Sequence, residues 1–144
     1  MPSKSKVCFF FESRNFTLKN RKDLKSSIES LFKREGKKLL FINYIFCSDK
    51  RLLEINRQFL QHDYYTDIIT FDLSTSISIE AEVYISVDRV KSNASDLGAS
   101  FKTELHRVIF HGALHLSGYG DKNKSDQLKM RDREDYYLSS YYKA

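Results

Sequence analysis

Two histidines, a glycine and an aspartate in the last third of the chain have the residue types and spacing of a metal site. His111 and His115 are four residues apart, and Gly118 and Asp121 follow at intervals of three. On a helix, side chains at i and i+4 project from one face about 5–6 Å apart, so two imidazoles can bind one ion. Gly118 suits the sharp turn that brings a third ligand back beyond the helix. Two unrelated histidines are the alternative, but Gly118 and Asp121 favour a metal site of His111, His115 and Asp121.

The ligand types indicate which metal and which chemistry to expect. Two neutral imidazoles and a carboxylate leave a tetrahedral zinc ion one open position, as in catalytic sites. Iron in a two-histidine, one-carboxylate site shares this ligand set, so iron or another divalent transition metal is the alternative. Zinc peptidases carry a Glu directly after the first His, and Gly112 stands there instead, which disfavours a peptidase. Glu82 and Glu104 are candidate carboxylates for the histidines' second ring nitrogens, or else ordinary surface or pairing residues.

Apolar runs and helical periodicity predict the elements that must position these ligands. Residues 7–11, 39–47, 68–72 and 82–87 are predicted as strands, and helices are predicted near residues 24–32, 52–60, 88–97, 101–116 and 126–142. The short link at 73–78 predicts that the last two strands form a hairpin. The order β-α-β-α-β-β-α-α-α predicts an α+β fold, in which about five helices pack on a small mixed four-stranded sheet.

Length and composition predict one domain over residues 1–144. Hydrophobic residues make up 41% of the chain and charged residues 30%, which is ordinary for a globular protein and excludes a disordered chain. Five apolar residues before Glu12 are too few for a signal peptide or a membrane span, so the sequence predicts a cytoplasmic protein. Cys8 and Cys47 lie in apolar runs, which favours reduced, buried thiols over a disulfide.

Positive charge is concentrated in the first third of the chain. Residues 1–50 carry twelve Lys or Arg against five Asp or Glu, within a total net charge of +5. Clusters at 19–22 and 33–38 could attract RNA through its phosphates, although solvated lysines on amphipathic helices have the same pattern. The tyrosine pairs at 136–137 and 141–142 could stack on bases, but packing of the terminal helix is the favoured interpretation.

Three segments in matching order resemble the YbeY-type endoribonucleases, which are ribosomal RNA maturation factors of bacteria. Residues 111–121 read HGALHLSGYGD and resemble the family signature HGxLHLxGYDH. The stretch from Leu53 to Phe71, with Asn56, His62-Asp63 and Thr66-Asp67, resembles the block LNxxYRxKDxPTDVLSF. Residues 81–86 read AEVYIS and resemble the strand GDIxIS.

The resemblance implies more than the spacing does. It implies a zincin-like α+β fold, one zinc ion, single-stranded ribosomal RNA as substrate, and a role in small-subunit rRNA maturation and ribosome quality control. It also implies contact with the ribosome or a small-subunit protein. The alternatives are a non-catalytic, metal-stabilised ribosome-assembly factor and a metal-dependent hydrolase of another substrate.

Two departures from the family pattern bear on the chemistry. The family's third metal-binding histidine falls on Asp121, which adds a negative charge and should temper the Lewis acidity of the ion. The family's arginine in the second block falls on Leu60, which removes a guanidinium able to hold a phosphate with two hydrogen bonds. Arg57 and His62 are candidates to take over this RNA contact, with ordinary polar residues as the alternative.

Overall fold

The computed structural model describes residues 5–62 and 65–143 of the chain. The motif residue Asp63 therefore lies outside the described part. The strands are β1 (Val7–Phe11), β2 (Leu39–Cys47), β3 (Ile68–Asp72) and β4 (Ile79–Ser86). The helices are α1 (Arg21–Arg34), α2 (Asp49–Leu60), α3 (Val87–Leu97), α4 (Phe101–Leu116) and α5 (Lys124–Lys143). The predicted α+β fold and the order of its elements are confirmed.

The four strands form one mixed sheet in the order β1-β2-β4-β3. β1 and β4 both run parallel to β2, and β3 pairs antiparallel with β4 as the predicted hairpin. β4 begins at Ile79, three residues before the predicted start, and ends one residue earlier than predicted. The early end has a local cause, because the Ser86 hydroxyl accepts a hydrogen bond from the Arg89 amide and caps α3. β3 is an edge strand, so one of its sides is open for a site.

Helices cover both faces of the sheet. On one face, buried apolar residues of the strands pack with α1, α3, α4 and α5 in the main core. On the other face, α2 places Leu52 and Ile55 against Cys47 and Ile69. Burial raises the pKa of the Cys47 thiol to about 12. Both cysteines are free thiols, as the sequence predicts, but only Cys47 is buried; Cys8 lies on the outer strand β1 and is partly exposed, so the prediction of burial is wrong for it. Within the described residues, no helix has both the length and the apolar character of a membrane span.

Two contacts fix α4 on the sheet. The buried Tyr44 hydroxyl donates a hydrogen bond to the Ile109 carbonyl oxygen at 3.0 Å. Gly112 lies so close to the strands that a Cβ atom there would be 3.1 Å from the Ile68 Cδ1 atom and 3.2 Å from the Val83 Cγ1 atom. A glycine at this point therefore lets α4 approach β3 and β4 closely, and it sets the position of the neighbouring His111.

Candidate metal centre and its cleft

The turn after α4 returns Asp121 to the helix. Gly118 has φ of +113°, a backbone conformation that favours glycine, as the spacing predicts. The Tyr119 hydroxyl donates to Glu35 Oε1 at 2.8 Å, and Gln127 Nε2 donates to the Asp121 carbonyl oxygen at 3.0 Å. The turn is thus tied to α1 on one side and to α5 on the other.

His111 and Asp121 are at the spacing of two ligands of one ion. His111 Nε2 lies 3.5 Å from Asp121 Oδ2. Two atoms that each lie about 2.1 Å from a tetrahedral zinc ion are about 3.4 Å apart. His111 and Asp121 are ten residues apart in the sequence, and the fold brings them to a distance that one ion can bridge.

His115 lies on the wall of the same cleft but does not join this pair. Its Nδ1 atom is 3.2 Å from the Tyr119 carbonyl oxygen, and its side chain is exposed. A carbonyl oxygen only accepts, so Nδ1 carries the proton and Nε2 remains available to a ligand. Within residues 5–62 and 65–143, no three His, Cys, Asp or Glu side chains lie close enough together to hold an ion as they stand.

A buried carboxylate fixes the other side of the His111 ring. His111 Nδ1 lies 2.7 Å from Glu134 Oε2, and Arg107 Nη1 donates to Glu134 Oε1 at 3.0 Å. An ionised carboxylate only accepts, so Nδ1 carries the proton and Nε2 faces Asp121. Burial alone would lower the pKa of His111, but the hydrogen bond and charge of Glu134, with Asp121 and Asp67, outweigh it and raise the pKa. Glu134 thus holds His111 in the tautomer that metal binding requires.

Glu134 is a residue that sequence reasoning missed. Glu82 lies on β4 opposite Phe71, and Glu104 is 93% buried; among the described residues neither is hydrogen-bonded to His111 or His115. Burial raises the pKa of Glu104, while nearby Arg107 opposes the shift. The sequence does contain one indication that Glu134 is buried, because it occupies the apolar stripe of α5 formed by Met130, Tyr137 and Leu138. A charged residue in such a stripe needs a buried partner.

The candidate metal centre opens into a cleft of about 390 Å³ beside the edge strand β3, called the metal cleft below. Its walls are formed by α2, β3, α4 and the two connecting loops. His62 is exposed and lines the cleft, whereas Arg57 is exposed on α2 and is not among the described lining residues. Leu60 is 40% exposed in the wall, so the position of the family's arginine is apolar. The described lining residues are Asn56, Leu60, His62, Thr66, Ile68, Ile69, Thr70, His111, His115 and Asp121.

Comparison with known proteins identifies the family. The family model of endoribonuclease YbeY matches residues 11–142. The chain is 48% identical over 134 residues to endoribonuclease YbeY of Cytophaga hutchinsonii, covering 92% of this chain and 94% of that protein. It is 50% identical over 104 residues to endoribonuclease YbeY of Bacteroides thetaiotaomicron, covering 72% and 76%. The chain therefore belongs to the endoribonuclease YbeY family, as the three motifs indicate.

A solved structure has the same fold. The solution structure of TM1509 from Thermotoga maritima matches with a TM-score of 0.66 at 27% sequence identity. The match covers 94% of this chain and 89% of that one. The two proteins therefore share the overall fold along almost the whole chain, well beyond the motif residues.

Proposed function

We propose that this protein is a metal-dependent endoribonuclease that cuts single-stranded ribosomal RNA during maturation of the small-subunit rRNA in the cytoplasm. Membership of the endoribonuclease YbeY family supports an RNA substrate. The observation that carries the metal dependence is the pair of His111 Nε2 and Asp121 Oδ2, 3.5 Å apart in an open cleft. In this proposal the ribosome, or a small-subunit protein, delivers the RNA and the enzyme acts in ribosome quality control.

The proposed ligands are His111, His115 and Asp121, and zinc is the proposed ion. Both imidazoles have Nδ1 engaged, by Glu134 and by the Tyr119 carbonyl oxygen, which leaves each Nε2 for the ion. His115 is exposed, so its ring can turn toward the other two ligands at little cost. When bound, zinc supplies Lewis-acid polarisation of a phosphate oxygen and a lowered pKa for a coordinated water. Iron shares this ligand set and is the alternative ion.

The remaining cleft residues bind and orient the strand. His62 and the hydroxyls of Thr66 and Thr70 line the cleft and can donate hydrogen bonds to phosphate oxygens. Leu60 offers an apolar contact to a base. A cleft of about 390 Å³ is of the size that binds a ligand comparable to one nucleotide, which suits a base from an unpaired strand.

The proposed activity is tested with a labelled single-stranded fragment of small-subunit rRNA. We expect cleavage by the zinc-loaded protein, and loss of cleavage in His111→Ala and Asp121→Asn. Asp132→Asn is the matched control, because Asp132 is an exposed carboxylate of α5 outside the cleft, and this variant should retain activity. Unchanged cleavage in His111→Ala would assign the activity to a contaminant and reject the proposal.

One observation favours a second candidate, a non-catalytic ribosome-assembly factor. Leu60 places an apolar side chain in the cleft where the family motif has an arginine that can bind phosphate with two hydrogen bonds. If the protein is an enzyme, Leu60→Arg should raise its cleavage rate, while Leu73→Arg adds the same charge at an exposed position outside the cleft and should not. If the wild type, Leu60→Arg and Leu73→Arg all associate with the ribosome and all leave the RNA uncut, the result would favour the assembly factor.

A further inference from the structure

A second cleft, of about 730 Å³, lies between α1, α4 and α5. His106 of α4 lines it, whereas His111 lines the metal cleft. Five residues correspond to about 140° around a helix, so the two clefts open on different sides of α4. Its volume is within the range of small-molecule sites, and the proposed ribonuclease activity makes no use of it.

Aromatic rings form one side of this cleft. His106 is 4% exposed, and its ring is perpendicular to Tyr141 with the centroids 5.1 Å apart. His106 Nδ1 lies 2.8 Å from the Tyr142 hydroxyl, while Nε2 has no hydrogen-bond partner among the described residues. Tyr142 is 43% exposed, and Phe101 lines the same cleft. A flat ring can therefore enter beside Tyr142 and Phe101 and reach a ring nitrogen of the buried histidine.

Three hydroxyl groups form part of the opposite side. The hydroxyls of Thr17, Ser26 and Ser27 line the cleft, and none of them makes a hydrogen bond to another described residue. Ser and Thr hydroxyls both donate and accept, so three of them match the alternating donors and acceptors of a sugar.

Two lysines line the cleft. Lys102 Nζ lies 5.7 Å from the centroid of the Tyr142 ring, and neither Lys19 nor Lys102 forms an ion pair within the described part of the chain. The Asn20 side chain makes no capping hydrogen bond, so the amide groups in the first turn of α1 are free to meet an anion. Asp23, in the first turn of α1, is the only carboxylate among the described lining residues, so with the two lysines the described lining carries a net positive charge.

We infer that this cleft is a nucleotide-binding site, separate from the metal centre. The base lies beside Tyr142 and Phe101 and bonds to His106, the ribose faces the three hydroxyls, and the phosphate lies between Lys19 and Lys102. A free nucleoside monophosphate and one nucleotide of an RNA strand present this same chemistry. A peptide of acidic residues matches the lysines but offers neither the ring nor the sugar.

The probe is AMP, followed by nuclear magnetic resonance of the histidine ring carbons in the intact protein. We expect saturable shifts of the His106 signals with a Kd at or below about 1 mM, and the same shifts in Asp121→Asn, which alters only the metal cleft. Lys102→Glu should weaken AMP binding by about tenfold or more but leave the binding of adenosine unchanged, because only AMP carries a phosphate. Lys50→Glu reverses an exposed charge outside the cleft and should bind AMP as the wild type does.

One further probe decides the source of the nucleotide. If a single-stranded oligoribonucleotide without terminal phosphates displaces AMP from His106, the site holds a nucleotide of an RNA strand; if it fails to, the site holds a free nucleotide. Either result supports the inference. His106 signals unmoved by about 10 mM AMP would overturn it. Equal AMP affinity in Lys102→Glu and Lys50→Glu would do the same, as would displacement of AMP by an acidic peptide at equal concentration.

Discussion

His111 and His106 lie five residues apart on one helix, yet their surroundings shift their pKa values in opposite directions. Burial disfavours the charged form of both rings. At His111, the hydrogen bond and charge of Glu134 outweigh burial and raise the pKa. At His106, burial and then the charge of Lys102 both act downward and lower the pKa from 6.5 to about 4. Because both rings are buried, the charged neighbour decides the difference between them. The Glu134 carboxylate favours a positive charge at His111, whereas the Lys102 ammonium disfavours one at His106.

The same contrast extends to the two clefts. Beside His111 lie the carboxylates of Asp121 and Glu134, which suit a metal ion. Beside His106 lie a phenol and a lysine, which suit a neutral ring and an anion. The two sides of α4 thus differ in charge, because His111 meets a carboxylate of α5, whereas His106 meets a phenol of that same helix and a lysine of α4 itself.

The largest expected effect is on the pH dependence of stability at His106. Its folded pKa is about 4 and its unfolded pKa near 6.5, so the unfolded chain binds the proton first as pH falls. Stability should therefore decrease between pH 6.5 and pH 4, by about 3 kcal/mol over the whole window. The groups that face the ring are Lys102, Tyr141 and Tyr142.

His106→Phe tests this decrease, because it keeps a ring but removes the titrating group. We expect urea unfolding at pH 7 and pH 5 to give a smaller loss of the free energy of unfolding in the variant than in the wild type. Titration of the carboxylates is common to both proteins and cancels in this comparison. Equal losses would show that His106 does not stay neutral in the folded state, and the contrast with His111 would fail.

The next prediction concerns the hydrogen bond between Glu134 and His111. Glu134→Gln should weaken zinc binding by about 10- to 100-fold, because a ligand's hydrogen-bonded carboxylate contributes that much to metal affinity. Asp135→Asn is the matched control, since Arg107 bonds to both carboxylates but His111 bonds only to Glu134. Competition with a chromophoric chelator measures both affinities. Equal losses in the two variants would mean that Glu134 acts through Arg107 and not through His111.

The order of elements and the proximity of His111 and Asp121 could be predicted because they depend on local patterns. Apolar periodicity marks strands and helices, and the spacing around Gly118 places Asp121 back at His111. Glu134 could not be placed, because its contact with His111 depends on how α5 docks on α4 across 23 residues. The second cleft could not be predicted either, because its walls come from α1, α4 and α5 and depend on how these three helices pack together. His115 stays apart from His111 and Asp121 because its ring is hydrogen-bonded to the Tyr119 carbonyl oxygen, a contact that a sequence pattern does not encode.

The smallest expected effect concerns Gly112, which sets the metal cleft but not the second one. In Gly112→Ala the new Cβ would lie 3.1 Å from the Ile68 Cδ1 atom, inside the usual carbon–carbon contact of about 3.5–4.0 Å. Overpacking costs about 1–3 kcal/mol, and the better helix propensity of alanine returns about 0.8–1.0 kcal/mol. The net loss in the free energy of unfolding should be about 1 kcal/mol, measured by urea unfolding.

Ile68→Val separates this contact from any general effect of alanine, because it removes the Cδ1 atom that the new Cβ would meet. The double variant should lose less stability than the sum of the two single variants. Zinc affinity should fall in Gly112→Ala, since α4 must move away from β3, while AMP binding at His106 should not change. Additive losses, or a parallel fall in AMP binding, would mean that the two sides of α4 respond as one unit.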